Sequence, residues 1–118
     1  MFSIYIILFD HQRSNMSQES YKVMVVEDND FVRMQICGFL KGEGLEVVEC
    51  TEGLEASGKM SPDINLAIVD VRMEPVNGFE FIRKIRNDGV KTPVILVTGD
   101  DNPDLLSEAS KLEVSAVL

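Results

Sequence analysis

Three carboxylates, Glu27, Asp28 and Asp70, stand where uninterrupted apolar runs end, and a hydroxyl, Thr98, closes a third run of the same form. The runs are Val23-Met24-Val25-Val26, Leu66-Ala67-Ile68-Val69 and Val94-Ile95-Leu96-Val97. Carboxylates crowded together raise one another's pKa, because each opposes the charge of the next. A divalent cation removes that conflict, and a set of ligands made only of oxygen suits Mg²⁺, which takes one or two carboxylates and keeps waters for itself and for a phosphate. The Thr98 hydroxyl and the Gly99 amide, at the neighbouring strand end, could hydrogen-bond a phosphoryl oxygen. The combination points to phosphoryl transfer with a carboxylate as nucleophile.

These residues need a scaffold that carries three strand ends to one rim. Continuous apolar runs read as strands of a parallel sheet buried on both faces, and open α/β sheets place their chemistry at the carboxyl edge. Taken in order, Val23 to Val26 is the first strand, and Asn29 or Asp30 caps a helix whose apolar face is Val32, Ile36, Phe39 and Leu40. Gly42 and Gly44 end that helix. Leu45 to Cys50 mixes apolar and acidic positions, as an edge strand does. Gly53 to Met60 forms a short helix, stopped by Ser61-Pro62-Asp63. After the Leu66 to Asp70 strand comes a loop to Asn77, then a helix with Phe79, Ile82 and Ile85 on one face, broken at Asn87-Asp88-Gly89. Val94 to Thr98 is the fourth strand. Asn102-Pro103-Asp104 starts a helix with Leu105, Ala109 and Leu112 inward, and Val114 to Leu118 is a fifth strand. Strand and helix alternate, which favours right-handed crossovers and a doubly wound parallel sheet.

Composition narrows the function. The chain has 118 residues, enough for one domain, and a formal net charge of −9. Such an acidic balance argues against a nucleic-acid surface, which needs clustered Lys and Arg. His11 is the sole histidine and lies outside the periodic part, so chemistry with a histidine base is not expected. Cys37 and Cys50 lack CxxC spacing and read as reduced structural thiols of a cytoplasmic protein. The apolar opening Met1 to Phe9 is shorter than the roughly 20 residues of a bilayer span and lacks signal-peptide features. Residues 1–20 are therefore expected to be a non-core extension, and 21–118 the domain. Cover for an apolar sheet face beside Val114 to Leu118 is one role open to Met1 to Phe9.

Taken together, Val25-Val26-Glu27-Asp28-Asn29, Val69-Asp70-Val71-Arg72-Met73 with Asn77-Gly78, Val97-Thr98-Gly99, and Thr51-Glu52-Gly53-Leu54-Glu55-Ala56 resemble the CheY-like receiver domain of two-component response regulators. The resemblance covers Tyr21 to Leu118. It implies a flavodoxin-like five-stranded sheet in the order 2-1-3-4-5. It also implies a phosphoacceptor switch that receives a phosphoryl group on Asp70 from a histidine kinase or phosphotransfer protein and passes the signal to an output domain or downstream protein. Asp28 would ligate Mg²⁺ directly, Glu27 mostly through water, and Arg72 by its backbone carbonyl, with Asp70 completing the set. Thr98 would move to meet the phosphoryl group, whose new charge needs donors in the same pocket. Arg72 and Asp100, which flank the site, carry opposite charges and are expected to pair across its mouth.

The sequence departs from the family in three places. The chain ends at Leu118, before the family's lysine and fifth helix, and is expected to be a fragment of a longer regulator. Without that lysine it is expected to bind Mg²⁺ but phosphorylate poorly. Ala116 stands where the family usually has an aromatic, and Glu74 where it usually has proline. Two other readings compete. One is a receiver-like interaction module independent of phosphate. The other is a Mg²⁺-dependent phosphatase of the haloacid-dehalogenase type, which needs a second aspartate two residues after the nucleophile. That position is Arg72, so no turnover enzyme is expected.

Overall fold

A computed structural model of the protein describes residues 21–99 and 103–118. Five strands form one parallel sheet: β1 (Lys22–Val26), β2 (Glu46–Cys50), β3 (Leu66–Asp70), β4 (Val94–Val97) and β5 (Ala116–Val117). Between them lie the helices α1 (Asp30–Gly42), α2 (Gly53–Lys59), α3 (Gly78–Asn87) and α4 (Pro103–Lys111). The spatial order is β2-β1-β3-β4-β5, the doubly wound order that the family resemblance implies.

Residues of alternate parity along each strand face opposite layers. Met24, Val26, Ala67, Val69, Val94 and Leu96 pack with Ala56 of α2, with Phe79, Phe81, Ile82 and Ile85 of α3, and with Ala109 of α4. Val23, Val25, Leu66, Ile68 and Ile95 pack with Ile36, Cys37 and Leu40 of α1. Burial on both faces is why, beyond Lys22 at the open start of β1, the central strands carry no polar residue until Asp70. Edge strand β2 stays partly open, with Glu46 and Glu49 exposed. Both cysteines are buried and unbridged, and burial pushes each thiol up to about 11. No helix among the described residues is long and apolar enough to cross a membrane.

Local chemistry sets the helix ends. Asn29 caps α1 by accepting from the Val32 N–H at 2.9 Å. Asn77 caps α3 in a reciprocal box, accepting from the Glu80 N–H at 2.9 Å while the Glu80 carboxylate takes the Asn77 N–H at 3.3 Å. Glu52, not singled out as a cap from the sequence, caps α2 through the Leu54 and Glu55 N–H groups at 2.6 and 3.0 Å. At the C-terminus of α1, the Gly44 and Leu45 N–H groups return to the Lys41 and Leu40 carbonyls with Gly44 at φ +83°. This is the left-handed termination that glycine adopts without strain.

The end of α4 has the same bond pattern with Glu113 in the left-handed position, at φ 57°. There the Val114 N–H turns back to the Ala109 carbonyl at 3.4 Å. That is why β5 is shorter than Val114 to Leu118: Val114 finishes the helix. Ladder bonds begin with the Ser115 N–H to the Val94 carbonyl at 2.7 Å and continue to Leu118. Ala116, Val117 and Leu118 are half-buried. The expected cap Asn102 and the segment Met1 to Phe9 lie outside the described residues.

Candidate functional site

The three strand ends converge because β1, β3 and β4 are parallel neighbours in register. Val26 pairs with Val69 and Asp70 pairs with Val97, so Glu27, Asp70 and Thr98 fall along one rim. The Glu27 N–H extends the pairing to the Cys50 carbonyl at 3.0 Å, and the Thr98 N–H bonds the Leu118 carbonyl at 2.9 Å.

Glu27, Asp28 and Asp70 each place a carboxylate oxygen within 4.8 Å of the others. They differ in solvation. Glu27 is buried, with 6% of its surface exposed, Asp70 is half-buried and Asp28 is exposed. Burial drives the Glu27 carboxyl up to about 7. The Asn29 N–H, donating to Oε2 at 3.1 Å, opposes the rise, and the neighbouring Asp70 and Asp28 add to it. Asp70 Oδ1 accepts the Arg72 N–H at 3.3 Å. A compact group of three hard carboxylate oxygens, one too buried to carry its charge unaided, fits Mg²⁺ with part of its shell left to water.

Two glycines hold the loop after β3 close to this site. A Cβ on Gly78 would stand 2.3 Å from the Asp70 carbonyl oxygen, and its N–H bonds the Val71 carbonyl at 3.0 Å. A Cβ on Gly53 would meet the Val76 side chain at 2.6 Å and the Val76 carbonyl oxygen at 2.8 Å. Here glycine is required by close approach of backbones, a reason that local sequence pattern does not carry. Within this loop the Glu74–Pro75 peptide bond is cis.

Arg33 is the residue that sequence reasoning missed. One turn into α1, it donates to the Glu27 carbonyl at 2.8 Å and to Asp30 at 2.6 Å, and pairs with Glu49 at 3.6 Å. Its spacing from Asp30 signals a helical ion pair, but nothing in the sequence announces the bond to Glu27. The expected pairing of Arg72 with Asp100 involves a residue outside the described range.

Comparison with known proteins agrees with the fold and the clustered acids. Residues 23–118 match the response regulator receiver domain family, and the chain belongs to it. The CAI-1 autoinducer sensor kinase/phosphatase CqsS of Vibrio cholerae is 35% identical over 95 residues, which cover 77% of this chain and 14% of that protein. Chemotaxis protein CheY of Treponema pallidum is 31% identical over 93 residues, covering 75% of this chain and 65% of CheY. The chain thus spans under two thirds of either relative. Among solved structures, the receiver domain of the Arabidopsis thaliana histidine kinase CKI1, complexed with Mg²⁺ and BeF₃⁻, aligns with a TM-score of 0.73 and 30% identity over 83% of this chain and 79% of that one. Receiver domains are switches of two-component signalling rather than turnover enzymes, and they bind Mg²⁺ at an acidic pocket.

Proposed function

We propose that this domain is the phosphoacceptor of a two-component phosphorelay, with Asp70 receiving the phosphoryl group from a histidine kinase or phosphotransfer protein. The observation that carries the reading is the convergence of the Glu27, Asp28 and Asp70 carboxylates within 4.8 Å, with Asp70 at the end of the central strand. Bound Mg²⁺ would neutralise charge on the transferring phosphoryl oxygens. Asp28, Glu27 and Asp70 would hold it, together with the Arg72 backbone carbonyl.

The rest falls to the chain's own groups. An Asp70 carboxylate oxygen attacks phosphorus in line, a P–O bond forms, and the P–N bond to the donor imidazole breaks. The imidazole keeps the electron pair and takes up a proton. The Arg72 N–H on Oδ1 fixes the carboxylate rotamer and leaves the other oxygen to react. Thr98, one residue past the partner of Asp70 in β4, donates its hydroxyl to the phosphoryl group. The new charge, near −2, drives that rearrangement.

The test is incubation of parent and Asp70→Asn with Mg²⁺ and acetyl phosphate, read by intact mass. One phosphoryl adduct, formed slowly because the family's lysine is not in this chain, is expected on the parent and none on the variant. Persistent labelling of Asp70→Asn would move the acceptor elsewhere. A parent that never labels would favour an interaction module independent of phosphate.

A further inference from the structure

We propose that Arg33 is a positioning residue for the metal-binding acids, holding the turn that presents Glu27 and Asp28. The inference rests on reading Glu27, Asp28 and Asp70 as the Mg²⁺ site. The Glu27 carbonyl belongs to the peptide group that joins the two acids, and that group is planar from one Cα to the next. A donor fixed on this oxygen therefore sets the plane from which both side chains depart. Arg33 supplies that donor at 2.8 Å.

Its hold is rigid for two reasons. Three guanidinium nitrogens face three different partners: one reaches the Glu27 carbonyl, one Asp30 at 2.6 Å, and Nε faces Glu49 at 3.6 Å. The side chain is also mostly buried, at 15% exposure. Glu49 lies on β2, the strand whose Cys50 carbonyl takes the Glu27 N–H, so the turn is tied to the same strand through both sides of Glu27. The backbone of α1 adds the Arg33 N–H to the Asn29 carbonyl at 2.9 Å, closing the turn behind Asp28. A lysine has one nitrogen and cannot reproduce this fork.

Coulomb's law and positioning predict opposite signs, which makes the proposal testable. A cation near a Mg²⁺ site repels the metal, so removing the Arg33 charge would tighten binding if electrostatics governed. If Arg33 acts by geometry, its loss weakens binding, by about 10-fold as is typical for outer partners of metal ligands.

The experiment titrates Mg²⁺ into the full chain and into Arg33→Met, Arg33→Lys and Asp28→Asn, following amide chemical shifts of residues 27–29. Urea unfolding of each in EDTA reports stability separately. Expected is a Kd for Mg²⁺ about 10-fold higher in both Arg33 variants, measured where all are folded. A Kd unchanged or lower in Arg33→Met overturns the proposal, even if that variant is less stable. Should Arg33→Met not fold, Arg33→Lys carries the test, and parent affinity there overturns it. A parent that binds no Mg²⁺, or an Asp28→Asn that binds like the parent, overturns the site reading itself and the proposal with it.

Discussion

Glu27→Gln should stabilise the metal-free domain at pH 8 and leave it little changed at pH 4. Glu27 is buried, and its carboxyl is raised to about 7 from the 4.5 of an ordinary glutamate, by burial first and by Asp70 and Asp28 as well. Between those values the folded chain keeps a proton that the unfolded chain has lost. The sign follows: stability on account of Glu27 is full below pH 4.5, falls as pH rises through the window, and is lost above about 7. At about 1.4 kcal/mol per pKa unit, the charged form costs the fold on the order of 3 kcal/mol. Glutamine keeps an oxygen for the Asn29 N–H and carries no charge, so it removes this penalty. The assay is urea unfolding in EDTA at several pH values, comparing parent and variant so that the other acids cancel. A gain of about 3 kcal/mol at pH 8 corresponds to roughly 12–24 °C in Tm for a domain of this size. Saturating Mg²⁺ at pH 8 should stabilise the parent and narrow the gap. If the two proteins show the same pH dependence from 4 to 8 in EDTA, the buried charge of Glu27 is not what the fold carries.

Gly78→Ala should cost about 1–3 kcal/mol in urea unfolding and lower the acetyl-phosphate labelling rate, since its Cβ would stand 2.3 Å from the Asp70 carbonyl oxygen and must displace Asp70, the proposed acceptor. Arg86→Met should cost about 2 kcal/mol by the same measurement while leaving the Mg²⁺ affinity unchanged. The Arg86 guanidinium donates to the Val90, Thr92, Leu112 and Glu113 carbonyls, tying the loop before β4 to the end of α4, and burial lowers its pKa. Glu113→Gly should raise Tm, with a gain of about 0.5–1 kcal/mol, because it relieves φ 57° and removes an acid from a helix C-terminus.

Much of this protein is decided within short stretches of sequence. A strand buried on both faces tolerates no polar side chain, so Val23 to Val26, Leu66 to Val69 and Val94 to Val97 are legible as continuous apolar runs. The acids that end two of them are legible as a rim. Helix starts at Asn29 and Asn77 are equally local, because a cap and its N–H lie three residues apart. Tertiary structure decided what depends on distant partners. Glu27 and Asp28 are both acids after one strand, and only the packing of β1 between β2 and β3 buries the first and exposes the second. Gly53 and Gly78 read as helix starts, whereas the fold needs them because Val76 and Asp70 press against their Cα atoms. Arg86 reaches carbonyls as far as 27 residues away, and Arg33 reaches across to Glu49 on the edge strand. Long flexible side chains choose partners after the chain has folded, and a linear pattern does not encode that choice.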